Sequence, residues 1–406
     1  MSSLKYWLWL ATRKGVGVQG MHTVLEHFGT PERAFFADPE EYELLPSGLS
    51  RALQDRSMHE AERVLADCDR LGIRIMTLQD ADYPERLRQL EDAPCVLYLK
   101  GRLPDLDEEA TIGVVGTRQA SEYGKTVAKR LGLELARGGA VVVSGIAAGI
   151  DACAVRGALQ AGGTVVCVLG GGIDVPYPWE NRFLYEDVAA SGLLISEYPP
   201  GTENRGSHFP VRNRIISGLS LGIVVVEARE FGSGAMITAD RALEQNRDVF
   251  AVPGNVDAVH SRGCIRLIQQ GAKPVLSAQD ILEEYRDRYA ARLARVATMS
   301  AQEEQERLEA IAEPPSAAVR QKTPVDKEKD KEYSVIKRPA DSFTDDELAL
   351  IHAMQGKTCQ ADELVERTQI PARRVLSALT MLQIAGCVAE KPGKRFVCLV
   401  ELKEED

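Results

Sequence analysis

A chain of 406 residues exceeds the size at which one hydrophobic core keeps growing, so two or three domains are expected. With 44% hydrophobic and 27% charged residues, and with its N-terminal apolar run Tyr6–Ala11 cut short by Arg13 and Lys14, it reads as a globular cytoplasmic protein without a membrane span or signal peptide. A formal net charge of −11 excludes a protein that coats a polyanion with a generally basic surface, so any nucleic-acid site has to be local.

The first 75 residues read as short helices. Leu4, Trp7, Leu8 and Leu10 precede the turn Lys14-Gly15-Val16-Gly17-Val18, and a second helical run, Met21 to Phe28, is closed by Gly29 as a C-cap. This fits a small SAM-like or helix-hairpin-helix domain. The Gly-x-Gly turn either offers backbone N–H groups to a phosphate or is a plain helical turn.

From Thr111 apolar strands alternate with helices. Strands are expected at 111–116, 140–143, 164–169, 193–196, 222–226 and 248–252, with helices around 121–137, 149–161, 180–190 and 234–246. Near-continuous Val/Ile runs between helices indicate an α/β domain, an extended Rossmann-like, doubly wound and mostly parallel sheet over 76–285, with an extra strand from the segment 83–101. Residues 286–341 turn polar and charged around Pro314-Pro315 and the Lys/Glu/Asp run at 326–332, the composition of a linker. Three helical patterns at 345–354, 361–367 and 371–384, then a hairpin with Pro392-Gly393 at its tip, give a winged-helix domain over 342–400. It suits either duplex DNA or a protein partner.

The eight cysteines, at 68, 95, 153, 167, 264, 359, 387 and 398, form no C-x-x-C and have no histidine at ligand spacing. They are expected to be reduced packing residues, with no metal and no cofactor.

Ligands of a doubly wound sheet bind at the carboxyl ends of its strands. The segments there are Gly116-Thr117-Arg118, Ser144-Gly145 through Gly149-Ile150-Asp151, Gly170 to Asp174, a loop from His208 to Gly218, and Gly232-Ser233-Gly234. Glycines let backbone N–H groups approach an anion, and each following helix adds its positive end. Arg118, Arg205, Arg212 and Arg214 are interleaved with them, and 204–226 carries three arginines and no acid. Phe209 offers a stacking face for an unpaired base. Asp151 suits the first turn of a helix as a structural carboxylate, with catalysis the other reading, and Asp174 suits an Asx-type turn.

Ser-Gly-Ile-Ala-Ala-Gly-Ile-Asp at 144–151, Phe-Pro-Val-Arg-Asn-Arg-Ile-Ile-Ser-Gly-Leu-Ser at 209–220, Ser-Gly-Ala-Met-Ile-Thr-Ala at 233–239 and Val-Phe-Ala-Val-Pro-Gly at 249–254 closely resemble the DprA/Smf (DNA-processing protein A) family over about 80–285. The resemblance extends more loosely to the N-terminal helices and the C-terminal winged helix. It implies a homodimer that binds single-stranded DNA in its Rossmann-like pocket, protects incoming DNA and loads the recombinase RecA in natural transformation, without catalysing a reaction. Carried over by motif, the pocket comprises Arg118, the Ser144–Asp151 loop with Ser144, Gly145 and Gly149, and Arg212, Asn213, Arg214 and Ser217; the rim residues Phe209, Gly232, Ser233 and Gly234 complete it. The implied dimer helix carries Ile265, Leu267 and Ile268, with Ile265 where many members have asparagine.

Rival chemistries fit less well. Gly124-Lys125-Thr126 looks like the end of a Walker A loop, but Gln119 stands where that loop needs glycine. A dinucleotide site wants an acid after the second strand, where Ser144-Gly145 stands. A nucleotide hydrolase of the lysine-decarboxylase-like type would need a glutamate after the Gly232–Gly234 loop, and Met236, Ile237 and Thr238 fill that spacing. A winged-helix regulator of duplex DNA is the third alternative.

Overall fold

The structure, a computed structural model, describes residues 3–293, 336–339, 343–354, 359–368, 370–384, 387–391 and 395–403. It divides into two compact units, Met1–Ser316 and Ala317–Asp406. The first opens with helices α1 (Leu4–Thr12), α2 (Gly17–Phe28), α3 (Pro31–Phe36), α4 (Ser47–Leu53) and α5 (His59–Leu71). Gly29, at φ +78°, ends α2 and donates its N–H to Leu25 O. Trp7, Trp9, Val24, Leu53, Val64 and Cys68 bury the apolar stripes of these helices in one core.

Nine strands make one sheet: β1 (Arg74–Thr77), β2 (Val96–Gly101), β3 (Thr111–Val115), β4 (Val141–Ser144), β5 (Val165–Leu169), β6 (Leu193–Ser196), β7 (Gly222–Val225), β8 (Asp248–Ala251) and β9 (Lys273–Pro274). Their spatial order is β1-β2-β6-β5-β4-β3-β7-β8-β9. From β6 to β9 every pairing is parallel, and β2, the extra strand expected within 83–101, is antiparallel to both β6 and β1.

Alternation decides the two cores. Ile112, Val114, Val142, Val165, Cys167 and Val224 share one cluster with α7 (Glu122–Arg137), α8 (Ile150–Gln160) and α9 (Arg182–Ser191), and the N-terminal helices join it. Val115, Val141, Val143, Val166, Val168, Ile223 and Val225 face the opposite layer of α10 (His208–Leu219), α11 (Gly234–Glu244) and α12 (Arg262–Gln269). The short helix α6 (Glu85–Arg88) also packs on that second face.

Two expectations change here. The segment 208–218, read as a loop, is helix α10. It is buried on all sides from Arg212 to Leu219, so it shows no amphipathic period, and Pro210 is tolerated because it falls in the first turn. The packed chain also runs past 285, because Tyr289 and Leu293, four residues apart, enter the first core.

In the second unit, helices Asp345–Met354, Ala361–Thr368 and Ala372–Ile384 precede the antiparallel pair Val388–Lys391 and Arg395–Cys398, a winged-helix layout. Thr344 accepts the Glu347 N–H at the first helix, as a capping box requires, while Glu347 accepts from the Thr344 N–H. Ile336–Pro339 pairs in parallel with Val400–Lys403, so this unit begins earlier than 342. The expected hairpin tip Pro392-Gly393 and most of the linker lie outside the described residues. Among the described residues no helix is long and apolar enough to cross a membrane.

Candidate nucleic-acid interface

The strand order reverses between β3 and β7. From β3 the chain steps outward through β4, β5 and β6, then returns through α10 to place β7 on the other side of β3. A crevice opens at such a point because the two βα loops diverge. Here it is a cavity of about 430 Å³, lined by Gly116 to Gln119 after β3, Ala147 and Asp151 after β4, Phe209, Arg212 and Asn213 of α10, and Arg229 with Gly232 to Gly234 after β7.

The three arginines at this cavity are held in different ways. Arg118 is exposed, and its guanidinium lies over the rings of Phe209 (4.6 Å) and Tyr177 (5.9 Å). The two rings are 5.4 Å apart, so cation and aromatics form one face. Arg229 is exposed and donates to Gln119 Oε1 (2.8 Å), from the neighbouring rim loop. Arg212 is only 4% exposed. It donates to Gly145 O (3.0 Å) and to Val168 O, and through Nε to Asn213 Oδ1 (3.2 Å). It thereby ties the ends of β4 and β5 to α10 while its charge remains at the cavity floor.

That attachment explains Gly145. A Cβ there would fall 2.6 Å from both Nη atoms of Arg212. Gly149, at φ +83°, would place a Cβ 2.4 Å from Thr117 O, so only glycine lets the β4 loop pass under the β3 loop.

Asp151 sits beneath them, only 5% exposed, at the edge of the cavity. Its carboxylate accepts from the Gly145 N–H (3.2 Å). Burial raises it from 3.8 to about 6, against the opposing pull of Arg212 and of the Gly145, Ala147 and Gly116 amides. At α11 the N-cap Ser233 makes no side-chain cap bond, so the first N–H groups of an 11-residue helix face the cavity at Gly234 and Ala235. The corresponding end of α7 is already occupied: Glu227 accepts from both the N–H (2.9 Å) and the hydroxyl (2.5 Å) of Ser121.

Of the residues chosen from sequence, Arg118, Phe209, Arg212, Asn213, Gly232, Ser233 and Gly234 line the cavity. Gly145 and Gly149 shape it from behind. Three others do not reach it. Ser144 is buried and donates to Val114 O (2.7 Å), and the Ser217 hydroxyl is spent on Asn213 O (3.2 Å) within its own helix.

Arg214 is the substantive correction. It is 3% exposed, donates from Nη2 to both oxygens of Glu197 (2.7 and 2.8 Å), and its Nε lies 3.3 Å from Asp92. It is therefore a buried ion pair, turned away from Arg212 by the helical geometry of α10. Of the other sequence candidates, Arg205 is exposed, and Asp174 accepts from the Gly201 N–H (2.8 Å), a loop-to-loop staple. On the helix that the resemblance implies for the dimer, Leu267 is 2% exposed and belongs to the core under α12, while Ile265 and Ile268 are half-buried.

The sequence reading missed Tyr177, Gln119 and Arg229. Arg229 lies four residues past the end of β7, in the loop whose glycines had been noticed. Tyr177 had no signal, because its partners Arg118 and Phe209 are distant in sequence.

A family model described as DNA recombination-mediator protein A matches residues 74–286, and a DprA winged-helix-domain model matches 337–394. The protein Smf of Synechocystis is 32% identical over 412 residues, covering 97% of this chain and 98% of its own. The DNA processing protein DprA of Bacillus subtilis is 46% identical over 226 residues, 56% of this chain and 76% of that one. The X-ray structure of DNA processing protein A from Streptococcus pneumoniae superposes with a TM-score of 0.62 at 35% identity, over 69% of this chain and 97% of that chain. A family match over more than half the chain and a relative aligned over nearly its whole length agree: the chain belongs to the DNA recombination-mediator protein A (DprA/Smf) family.

Proposed function

We propose that the chain binds single-stranded DNA in the β3/β7 cavity and hands it, without chemical change, to a RecA-type recombinase, acting as a homodimer. The observation that carries the reading is the face made by Arg118, Phe209 and Tyr177 beside the open N-terminus of α11. A phosphate can meet Arg118, Arg229 and the α11 amides, and an unpaired base can stack on the aromatic face. A duplex offers no free base to that face.

In this reading Asp151 organises the loop: its carboxylate accepts from the Gly145 N–H, and burial raises its pKa against the opposing pull of Arg212 and of the Gly145, Ala147 and Gly116 amides. The family to which the chain belongs and the DNA-processing names of its relatives support the assignment to recombination. The exposed part of α12 around Ile265 and Ile268 is the surface proposed for the dimer, with Leu267 as its internal support.

Fluorescence anisotropy with labelled oligo-dT and with a duplex of equal length tests the reading. Preference for the single strand is expected. Equal binding of the duplex would move the function to the winged helix, and release of free base from nucleoside monophosphates would make the cavity an enzyme site.

A further inference from the structure

Beyond the cavity, the chain after β5 carries a row of exposed aromatic side chains. Tyr177, Trp179 and Phe183 are 42%, 64% and 59% exposed, although tryptophan and phenylalanine are among the costliest residues to leave in water. Arg182 lies between the last two, its guanidinium 5.2 Å from the Trp179 ring and 4.2 Å from that of Phe183. The same construction, an arginine against two aromatic rings, occurs in the cavity as Arg118 with Phe209 and Tyr177. Tyr177 belongs to the first group and stands two residues before Trp179, so their Cα atoms are at most roughly 7 Å apart. That is the scale of one nucleotide step.

The row is fixed relative to the cavity. Tyr177 donates its N–H to the Tyr185 hydroxyl (3.1 Å), which in turn donates to Tyr177 O (3.0 Å). Asn181 is buried and donates to Ile146 O (3.0 Å), in the loop between Gly145 and Gly149, while Arg156 donates to Asn181 Oδ1 (3.1 Å). The loop that forms the cavity wall thus also anchors the aromatic row.

We propose that Trp179, Arg182 and Phe183 form a second single-strand subsite continuous with the cavity, which takes the bases next along the strand. This rests on the reading of the cavity as a single-strand site. An alternation of aromatic faces with arginine suits a flexible strand whose every base has a stackable face, and it needs no sequence preference. Glu180, exposed beside Trp179, keeps the row from being a purely electrostatic track, so stacking is its principal contribution.

The chain supplies its own reporter. It has three tryptophans, and Trp7 and Trp9 are inside the N-terminal core, so quenching of tryptophan emission by DNA reports on Trp179. The full chain is titrated with oligo-dT of about four and about twelve nucleotides, lengths that bracket common single-strand site sizes. The longer oligonucleotide is expected to quench Trp179. Trp179→Ala and Phe183→Ala should each bind it about fivefold or more weakly and leave the shorter one nearly unchanged, whereas Trp179→Phe, which keeps an aromatic face, should bind it nearly as wild type.

If Arg118→Ala weakens both lengths while Trp179 stays unquenched and both alanine variants bind normally, the subsite is overturned and the cavity reading stands. If wild type binds neither length, both fall. If the alanine variants change the sedimentation of the protein but not its DNA binding, the row is an interface between copies and the subsite is likewise overturned.

Discussion

Arg118 and Arg214 are both arginines in glycine-flanked, acid-poor stretches at the carboxyl edge of one sheet, yet they do opposite things. Arg118 projects from a βα loop, exposed, with the faces of Phe209 and Tyr177 against it. Arg214, on a buried helix, is locked between Glu197 and Asp92. The absence of acids near Arg214 in the sequence was real and uninformative, because its partners lie 17 residues away on one side and in a different loop on the other. Availability to phosphate is a property of the element that carries the arginine. A βα loop leaves the charge in water, whereas a helix packed between sheet and α11 forces it to find a partner.

The largest expected effect breaks the buried side of this comparison. Arg214→Ala should destabilise the protein by about 3–5 kcal/mol, since it strands the enclosed Glu197 carboxylate, whose pKa burial already raises. Thermal melting checks this, and Glu197→Gln added to Arg214→Ala should recover part of the loss. An unchanged melting temperature would return Arg214 to the candidate DNA contacts.

Gly149→Ala comes next. Its Cβ would press on Thr117 O at a positive φ, so a loss of about 2 kcal/mol or more is expected, accompanied by weaker DNA binding because the β3 loop carrying Arg118 must shift. A variant that melts and binds as wild type would show that the two loops do not need this contact.

A smaller effect concerns pH. The Asp151 carboxyl goes from 3.8 in the free side chain to about 6 in the fold, so the native state binds the extra proton in that window. Stability from this group therefore rises as pH falls through about 6 towards 4, and its cost is fully present above 6. Protonation also removes a negative charge from beneath the cavity, where Arg212 of α10 is its opposing charge and Arg118 lies beyond it. Oligo-dT affinity should strengthen modestly between pH 7.5 and 5.5 in wild type and stay flat in Asp151→Asn. Titrations by anisotropy at fixed ionic strength would show it, and an equal slope in both proteins would assign the effect elsewhere.

Much of the fold was legible in the sequence because strands buried on both faces have to be written in Val and Ile, and helix ends in glycine, serine and acids. β6 is the clearest case, with Leu193–Ser196 read to the residue. α10 was not legible: a helix enclosed on every side has no amphipathic stripe, and its glycine, proline and arginines resemble a loop. The rim of the site was readable where glycines mark a close approach, as at Gly145 and Gly149. Tyr177 and Arg229 were not, since their role depends on which loops the strand order brings together. The resemblance implied a dimer helix with Leu267 on it, but a motif does not say which side of a helix faces the core, and Leu267 is buried beneath α12.

The central claim is that Arg118, and not Arg214, grips the strand. Oligo-dT affinity is measured at three salt concentrations for wild type, Arg118→Ala and the double variant Arg214→Ala/Glu197→Gln, which removes the Arg214 charge together with the carboxylate it would strand. Loss of one phosphate contact should make the log–log salt slope of Arg118→Ala shallower by about 0.7, with an unchanged melting temperature, while the double variant keeps the wild-type slope. A wild-type slope in Arg118→Ala together with a shallower one in the double variant would contradict the account.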